Sequence, residues 1–430
     1  MMPVPADAFE QATMRKVTRR IVPFIFVCYV VSYLDRINVG FAGLQMNRDL
    51  GLTATQFGWG AGLFFIGYFL CEIPSNLMMQ RVGARRWIAR IMVSWGLVST
   101  LTCLVSGPIS FGVLRFFLGA AEAGFTPGVY LFFTLWFPGI WRSRATASFL
   151  VGIPVANMLG APLSGYLLTL DGAGGLAGWQ WLLVLEGVPA ILLGIACLFI
   201  LSDGPAGAKW LAPDERDWLA TRLQDEQATL AARHGSSLRD AFCNPRVFVL
   251  ALVNFCGICG SLGVSLWLPQ IIRGFGLGYV AVGFVAAAPY AVGAVCMVLW
   301  ARLANAAPNR IPYVCGALFM AAVGLATSAG VVAPLPSMLA LIVTVVGILS
   351  FQATYWAIPS GFLTGRAAAG GLALIVSIGN LGGFAGPYVI GYLRESTKGF
   401  TIPLLTISAV LLLGSVVMLL LGDPARRKAG

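Results

Sequence analysis

Long apolar runs, separated at intervals by short polar segments, constrain this chain more than any other feature. A helix needs about 20 apolar residues to cross a bilayer, and the chain of 430 residues has room for about twelve such helices. The runs fall at roughly 20–42, 56–79, 88–106, 111–137, 145–170 and 179–201, then at roughly 246–272, 279–303, 311–330, 335–358, 367–393 and 400–421. Only 10% of the residues are charged and mean hydropathy is +0.84, whereas a soluble domain carries roughly 25% charged residues. The alternating ten-residue strands of a membrane barrel are absent. The expected fold is therefore all-α and integral to the membrane, with twelve transmembrane helices.

Six runs, a polar stretch and six more runs divide the chain into an N-terminal six-helix bundle at 1–201, an inter-bundle loop at 202–245 and a C-terminal six-helix bundle at 246–430. Two halves related as parallel repeats are one known transporter architecture. A faint internal echo agrees with it. The fifth run carries Asn157, Gly160, Pro162, Gly165 and Tyr166, and the eleventh carries Asn380, Gly383, Pro387, Gly391 and Tyr392. Within the polar stretch, Pro213 and Asp214 before Glu215 make a plausible helix start.

A net charge of +11 would suit a nucleic-acid partner only if the basic residues were gathered on a soluble face. Instead most of them occupy alternate loops, among them Arg15, Lys16, Arg19, Arg20, Arg81, Arg85, Arg86, Arg90, Arg142 and Arg144, while the opposite loops hold Arg48, Arg273, Arg394 and Lys398. The positive-inside rule then makes both termini and the middle loop cytoplasmic. No cleavable signal pattern opens the chain, so the first span is expected to serve as its own insertion signal in a bacterial inner membrane. The nine Cys show no extracellular pairing pattern and are expected as free thiols. Cys256 and Cys259 form a CxxC without the second ligand pair that zinc needs, so no metal site is expected. No GxxxxGK[ST] loop is present for ATP. No cofactor is expected either, and uphill work must draw on an ion gradient.

Six ionisable residues interrupt the apolar runs: Asp35, Arg36, Glu72, Arg115, Glu122 and Glu186, all in the first half. Each costs about 2.5–3.5 kcal/mol at mid-bilayer even on the lenient insertion scale, so such residues mark functional sites by default. Arg115 and Glu122 are seven residues apart, which places them on one helix face about 10 Å apart in height. If the first and fourth spans face each other, Asp35, Arg36, Arg115 and Glu122 make a charge-balanced cluster. Arg36 and Arg115 suit a carboxylate, because a guanidinium offers a fixed fork of donors and keeps its charge. Asp35 and Glu122 are the candidate proton carriers, burial favouring their protonated form and an adjacent Arg their ionised form. The single histidine, His234, lies in the polar stretch, which leaves any relay to carboxylates. Glu72 and Glu186 are expected near the cytoplasmic ends of their spans, as structural or gate-latch residues reached by Arg81, Arg85 and Arg142. The RVGARRW stretch from Arg81 to Trp87, with Arg86, reads both as topogenic charge and as a gate. The uncharged second half offers Asn254, Trp267, Gln270, Gln352, Tyr355, Trp356, Ser377 and Asn380. With Asn157, these could stack on an aromatic acid or read the hydroxyls of a sugar acid.

At these residues the chain resembles the anion:cation symporter branch of the major facilitator superfamily. The resemblance rests on YLDRINVG (Tyr33 to Gly40), PSNLMMQRVGARRW (Pro74 to Trp87), RFFLGAAEAGFTPG (Arg115 to Gly128) and WLLVLEGVPA (Trp181 to Ala190). It implies proton-coupled uptake of an organic carboxylate such as a sugar acid, tartrate or an aromatic acid, by alternating access and without enzymatic activity. It also carries the family's first-span acid and arginine over to Asp35 and Arg36 and its fourth-span pair to Arg115 and Glu122, and places Tyr33, Tyr68 and Asn380 at the substrate cavity. Gln80 stands where the superfamily's loop motif has an acid. The expected partners are the bilayer, the small anion and protons, and the carrier is expected to be a monomer. The competing expectation is a proton-coupled exporter of amphipathic compounds, for which two intramembrane arginines would be of little use.

Overall fold

The computed structural model describes residues 6–232, 244–359 and 365–421. His234 and Cys243 lie outside the described residues, as do both ends of the chain. Among the described residues, fifteen α-helices follow in order. In the first half they are α1 (Ala6–Asp49), α2 (Ala54–Val82), α3 (Ala84–Leu101), α4 (Pro108–Glu122), α5 (Phe125–Thr134), α6 (Gly139–Leu150), α7 (Gly152–Leu167) and α8 (Gly178–Ile200). The polar stretch contributes α9 (Pro213–Ala232). The second half has α10 (Pro245–Arg273), α11 (Tyr279–Ala306), α12 (Ile311–Gly330), α13 (Pro334–Tyr355), α14 (Gly365–Thr397) and α15 (Thr401–Leu421).

Among the described residues, twelve spans are long and apolar enough to cross a membrane, as the hydropathy pattern predicts. Their lipid-facing side chains are apolar, with Ile109 76%, Phe199 78% and Leu420 76% exposed; this inverts the soluble pattern and suits a hydrocarbon solvent. The first helix is much longer than its apolar run. At 44 residues and ~1.5 Å per residue it outreaches a ~30 Å hydrocarbon core, so both of its ends project. The eight described cysteines are free.

Two spans are broken. The fourth, expected to be continuous, stops at Glu122 and restarts at Phe125, because Gly124 adopts φ 88° and Ala123 is extended at ψ 132°. Pro127, lacking an N–H, removes the bond that would tie the new turn back to Ala123. Non-helical backbone at membrane depth is tolerated where protein or a cavity surrounds it, and here it follows directly on a buried carboxylate. The fifth span is interrupted at Val151, between α6 and α7, where the backbone stays in the right-handed region at φ −61°, ψ −19°.

The end carrying the α1–α2 loop is here called the outer end, after the charge distribution, and the end carrying the α2–α3 connection the inner end. The halves meet through α1 with α10, α2 with α14 and α7 with α11. The echo between the fifth and eleventh spans thus has a packing counterpart, since each packs on the second span of the opposite half. Glycine makes the approach possible at the outer end: a Cβ on Gly58 would lie 2.4 Å from the Pro387 carbonyl oxygen, and one on Gly391 would lie 2.3 Å from that of Ala54. The Thr55 backbone N–H donates to Glu395 Oε2 at 2.9 Å, and Phe57 meets Trp267 edge-on with centroids 5.2 Å apart. The α2–α14 contact continues inward as far as Asn380 and Glu72.

The helix start expected at Pro213 is present, and α9 packs on the first half. Leu211, Leu219 and Leu223 join the first half's buried cluster with Met14 and Val17. Trp210 stacks on Trp136, and Phe9 meets Trp218. Lys16 pairs with Glu215, and Arg142 with Glu226.

Candidate functional site

Glu122, the last residue of α4, is fully buried and faces α1. Its Oε1 accepts from Arg36 Nε at 2.8 Å and from Ser32 Oγ at 2.9 Å, and Arg36 Nη2 lies 2.7 Å away. Oε2 is buried with no partner. Ser32 and Arg36 are one turn apart on α1, so a single helix face supplies both donors. The Arg36 guanidinium sits among the rings of Tyr33, Phe64 and Tyr68, at 5.1, 5.7 and 5.3 Å from their centroids. Removing one partner of a buried pair of this kind costs about 3–5 kcal/mol, because the other charge is left uncompensated.

Asp35 points the other way. Trp95 Nε1 donates to its Oδ2 at 2.6 Å, while Ser99 Oγ and Asn38 Nδ2 donate to Oδ1 at 2.8 and 3.2 Å. The residue is 1% exposed. Adjacent residues on a helix project about 100° apart, so Asp35 and Arg36 serve different faces: the acid is seated against α3 by neutral donors, and the base faces α4. The expected four-group cluster is therefore an ion pair, Arg36 with Glu122, flanked by a separately solvated Asp35.

Arg115 is 2% exposed. No carboxylate lies within 4.0 Å of it among the described residues, its Nε has no hydrogen-bond partner, and its guanidinium rests 4.9 Å from the Phe64 centroid. Phe64 thus lies under both arginines.

Glu72 and Glu186 depart from expectation. Glu72 does not meet Arg81, Arg85 or Arg142; Asn380 Nδ2 approaches its Oε2 at 3.4 Å across the boundary between halves, one turn along α2 from Tyr68. Glu186 lies eight residues from the outer start of α8 and fourteen from its inner end, so the inner arginines cannot reach it. Ser164 Oγ donates to its Oε1 at 2.8 Å, and its Oε2 is buried and unpaired. Arg142 is taken by Glu226 of α9. Arg81 and Arg86 are exposed and make no ion pair among the described residues, and Arg85 engages the chain through its backbone N–H, which donates to Asp203 Oδ1 at 2.8 Å.

Several neutral candidates have structural tasks. Tyr355 is fully buried and its hydroxyl donates to the Leu250 carbonyl at 2.7 Å, tying α13 to α10. Trp267 donates to the Pro387 carbonyl and Asn254 to that of Ile375. Asn157 donates to Ile153 within its own helix. Gln352 donates to Ser261 Oγ at 3.1 Å. Gln270 meets Arg394, which belongs to the last turn of α14 and not to a loop. Trp356 is 38% exposed, and Ser377 is half-buried beside Asn380 in sequence.

Ser32, Trp95, Ser99, Asn38 and Ser164, which hold the buried acids, were not singled out by the sequence. Ser32 could have been, since it lies one turn before Arg36; Trp95 and Ser99 share a similar i, i+4 spacing, but nothing in α3 marks which helix it faces.

Residues 25–387 match the model of the Major Facilitator Superfamily. The chain is similar over 97% of its length, and over 93% of the relative's, to an Agrobacterium vitis protein named "Putative tartrate transporter", with 46% identity. It is 40% identical to the "Quinolone resistance transporter" of Acinetobacter baumannii over 95% of this chain and 94% of that one. Among solved structures, a bacterial homologue of the human lysosomal transporter Spinster, in an inward-facing and occupied conformation, superposes with a TM-score of 0.78 at 15% identity, covering 93% of this chain and 96% of that one. Twelve apolar spans in two packed halves, the family match and these bacterial relatives together make the chain a multi-pass inner-membrane secondary transporter of the Major Facilitator Superfamily.

Proposed function

We propose that the protein takes up an organic carboxylate, such as tartrate, a sugar acid or an aromatic acid, together with protons by alternating access. Arg115 is the observation that carries this reading. A buried guanidinium without a carboxylate within 4.0 Å is a site waiting for an anion, since burying an unpaired charge is costly. Arg36 and Arg115 both lie over Phe64, so one carboxylate could bridge them. Such a bridge competes with Glu122 for Arg36. Losing its cation, Glu122 would take a proton on its unpaired Oε2, and the loaded carrier would cross with less net charge. Asp35, held by three neutral donors and with no cation within 4.0 Å among the described residues, is the second candidate carrier in this scheme. Glu72 and Asn380, which face each other across the two halves, suit the hydroxyls of a tartrate or sugar acid.

Export is the second reading, favoured by the relative named for quinolone resistance. The direction of coupling separates the two. A thermal-shift screen of carboxylates on purified protein would identify a ligand, and its uptake into proteoliposomes would follow. Symport predicts accumulation with the interior alkaline, whereas accumulation only with the interior acidic would establish exchange against protons. Survival of proton-driven accumulation in both Glu122→Gln and Asp35→Asn would remove these two acids from the coupling.

A further inference from the structure

The first half contains another buried acid that the scheme above does not use. Glu186 is 3% exposed. α8 packs against α1, α3, α7 and the short turns at 102–104 and 168–170, and what these present to Glu186 is neutral apart from Asp35. From α7 comes the Ser164 hydroxyl, bonded to Oε1 at 2.8 Å. From α3 comes Thr100, whose Oγ1 would lie 2.7 Å from a Cβ on the next residue, Gly187, and is itself without a partner. From α1 comes Asn38, whose amide lies against Glu186 and donates to Asp35 Oδ1 at 3.2 Å. No Lys or Arg nitrogen lies within 4.0 Å of Glu186 among the described residues.

The two acids that share Asn38 are provided for unequally. Asp35 has both oxygens occupied by three donors, one of them the Trp95 indole, which can only donate. The arrangement fits a carboxylate. Glu186 has one donor on Oε1, while its Oε2 is buried and bare. An ionised carboxylate with neutral donors only, the Ser164 hydroxyl and the Asn38 amide that Asp35 also draws on, and with no cation is poorly compensated, and two acids that share one amide cannot easily be ionised together. Glu186 lies nearer the outer end of α8, and polar groups are spaced along the α1–α8 contact towards that end. Gln45 Oε1, without a partner, would lie 2.7 Å from a Cβ on Gly178, and Trp179 Nε1 donates to Asp49 Oδ2 at 3.1 Å. Asn38, Gln45 and Asp49 follow at seven- and four-residue spacing, along one face of α1.

We propose that Glu186 is a proton-binding site of the transport cycle, loaded from the outer end along this α1–α8 seam and separate from the substrate's route between the halves. The proton binds at Oε2 and leaves from it, so no other bond is made or broken. The inference rests on the proton-coupled reading and adds one proton to each cycle beyond that taken by Glu122.

The test uses full-length protein in proteoliposomes with tartrate as the probe, the membrane voltage clamped at zero by potassium and valinomycin, and the interior one pH unit alkaline. One proton fewer per cycle lowers the limiting accumulation ratio by about tenfold per pH unit of gradient, a tenfold ratio corresponding to ~1.4 kcal/mol. Glu186→Gln, which mimics the loaded acid, should keep tartrate counterflow and lose that factor of ten, and Glu186→Asp should restore the wild-type ratio. A wild-type ratio in Glu186→Gln overturns the proposal while leaving proton symport intact. If Glu186→Gln loses counterflow, Glu186→Asp decides: a restored ratio supports proton binding, and an equally impaired variant assigns Glu186 to packing and overturns it. A wild type that exchanges tartrate in counterflow yet fails to accumulate it under this gradient sinks the proton-coupled reading and this inference with it.

Discussion

The outer contact between α2 and α14 is built from glycine against carbonyl, so a single methyl group should bias the carrier's conformation. In Gly58→Ala the new Cβ would stand 2.4 Å from the Pro387 oxygen and 3.1 Å from its carbonyl carbon. Relief requires the helices to part by several tenths of an ångström, and overpacking of this kind costs typically 1–3 kcal/mol. The gain in helix propensity, roughly 1 kcal/mol from Gly to Ala, is the same whichever way the carrier faces and cancels. The cost falls only on the state in which these helices touch, so the closed-to-open ratio at the outer end should drop by about 5- to 150-fold, at 1.4 kcal/mol per factor of ten. Spin labels at Arg48 and Ser396, both exposed on opposite halves at this end, would report it. Pulsed dipolar spectroscopy should show a longer-distance population in Gly58→Ala that is minor or absent in the parent. An unchanged distance distribution in a correctly folded variant would refute the claim that glycine sets this closure.

Arg115→Met should abolish carboxylate stabilisation in a thermal-shift assay, weakening binding by at least tenfold and up to about 150-fold, in line with the 1.5–3 kcal/mol of a hydrogen bond to a charged group; undiminished stabilisation would exclude it from the anion site. Tyr355→Phe removes the hydroxyl's bond to the Leu250 carbonyl, which keeps its own helix bond, and should cost about 0.5–1.5 kcal/mol of stability with KM for the substrate unchanged, whereas a raised KM at unchanged melting temperature would return Tyr355 to the substrate site. Arg142→Ala removes a pair whose partners are 27% and 28% exposed, so screening limits the loss to about 1 kcal/mol or less. Uptake should persist while protease cleavage within α9 becomes faster; abolished uptake with α9 still protected would instead support a gating role.

Hydropathy made the twelve spans legible because lipid imposes its requirement on each helix separately. The ionisable residues were legible for the same reason, and Arg36, Arg115 and Glu122 do converge. Partner choice was less readable. The Asp35–Arg36 adjacency in sequence conceals a divergence of about 100° around the helix, and the donors to Asp35 come from α3, whose orientation no pattern records. Glu186 was misplaced against the bounds of its own run: at seven residues from the start of 179–201 it already lies nearer the outer end, as α8 confirms. Neutral polar residues were the hardest to assign: Tyr355 and Trp267 look like substrate-facing aromatics until their polar atoms are found bonded to backbone carbonyls. The break after Glu122 was foreshadowed by Gly124 and Pro127, but both are ordinary in membrane helices.

The packing of α9 divides the molecule's mechanics unevenly. Through Trp218, Glu215 and Glu226, and through Trp210 just before its start, this helix is clamped to the first half, so it turns as part of that body whenever the two halves rock. A rigid protein fused to α9, or an antibody fragment raised against it, would act as a pointer outside the bilayer whose tilt reports the angle of the half that holds Asp35, Glu122 and Glu186.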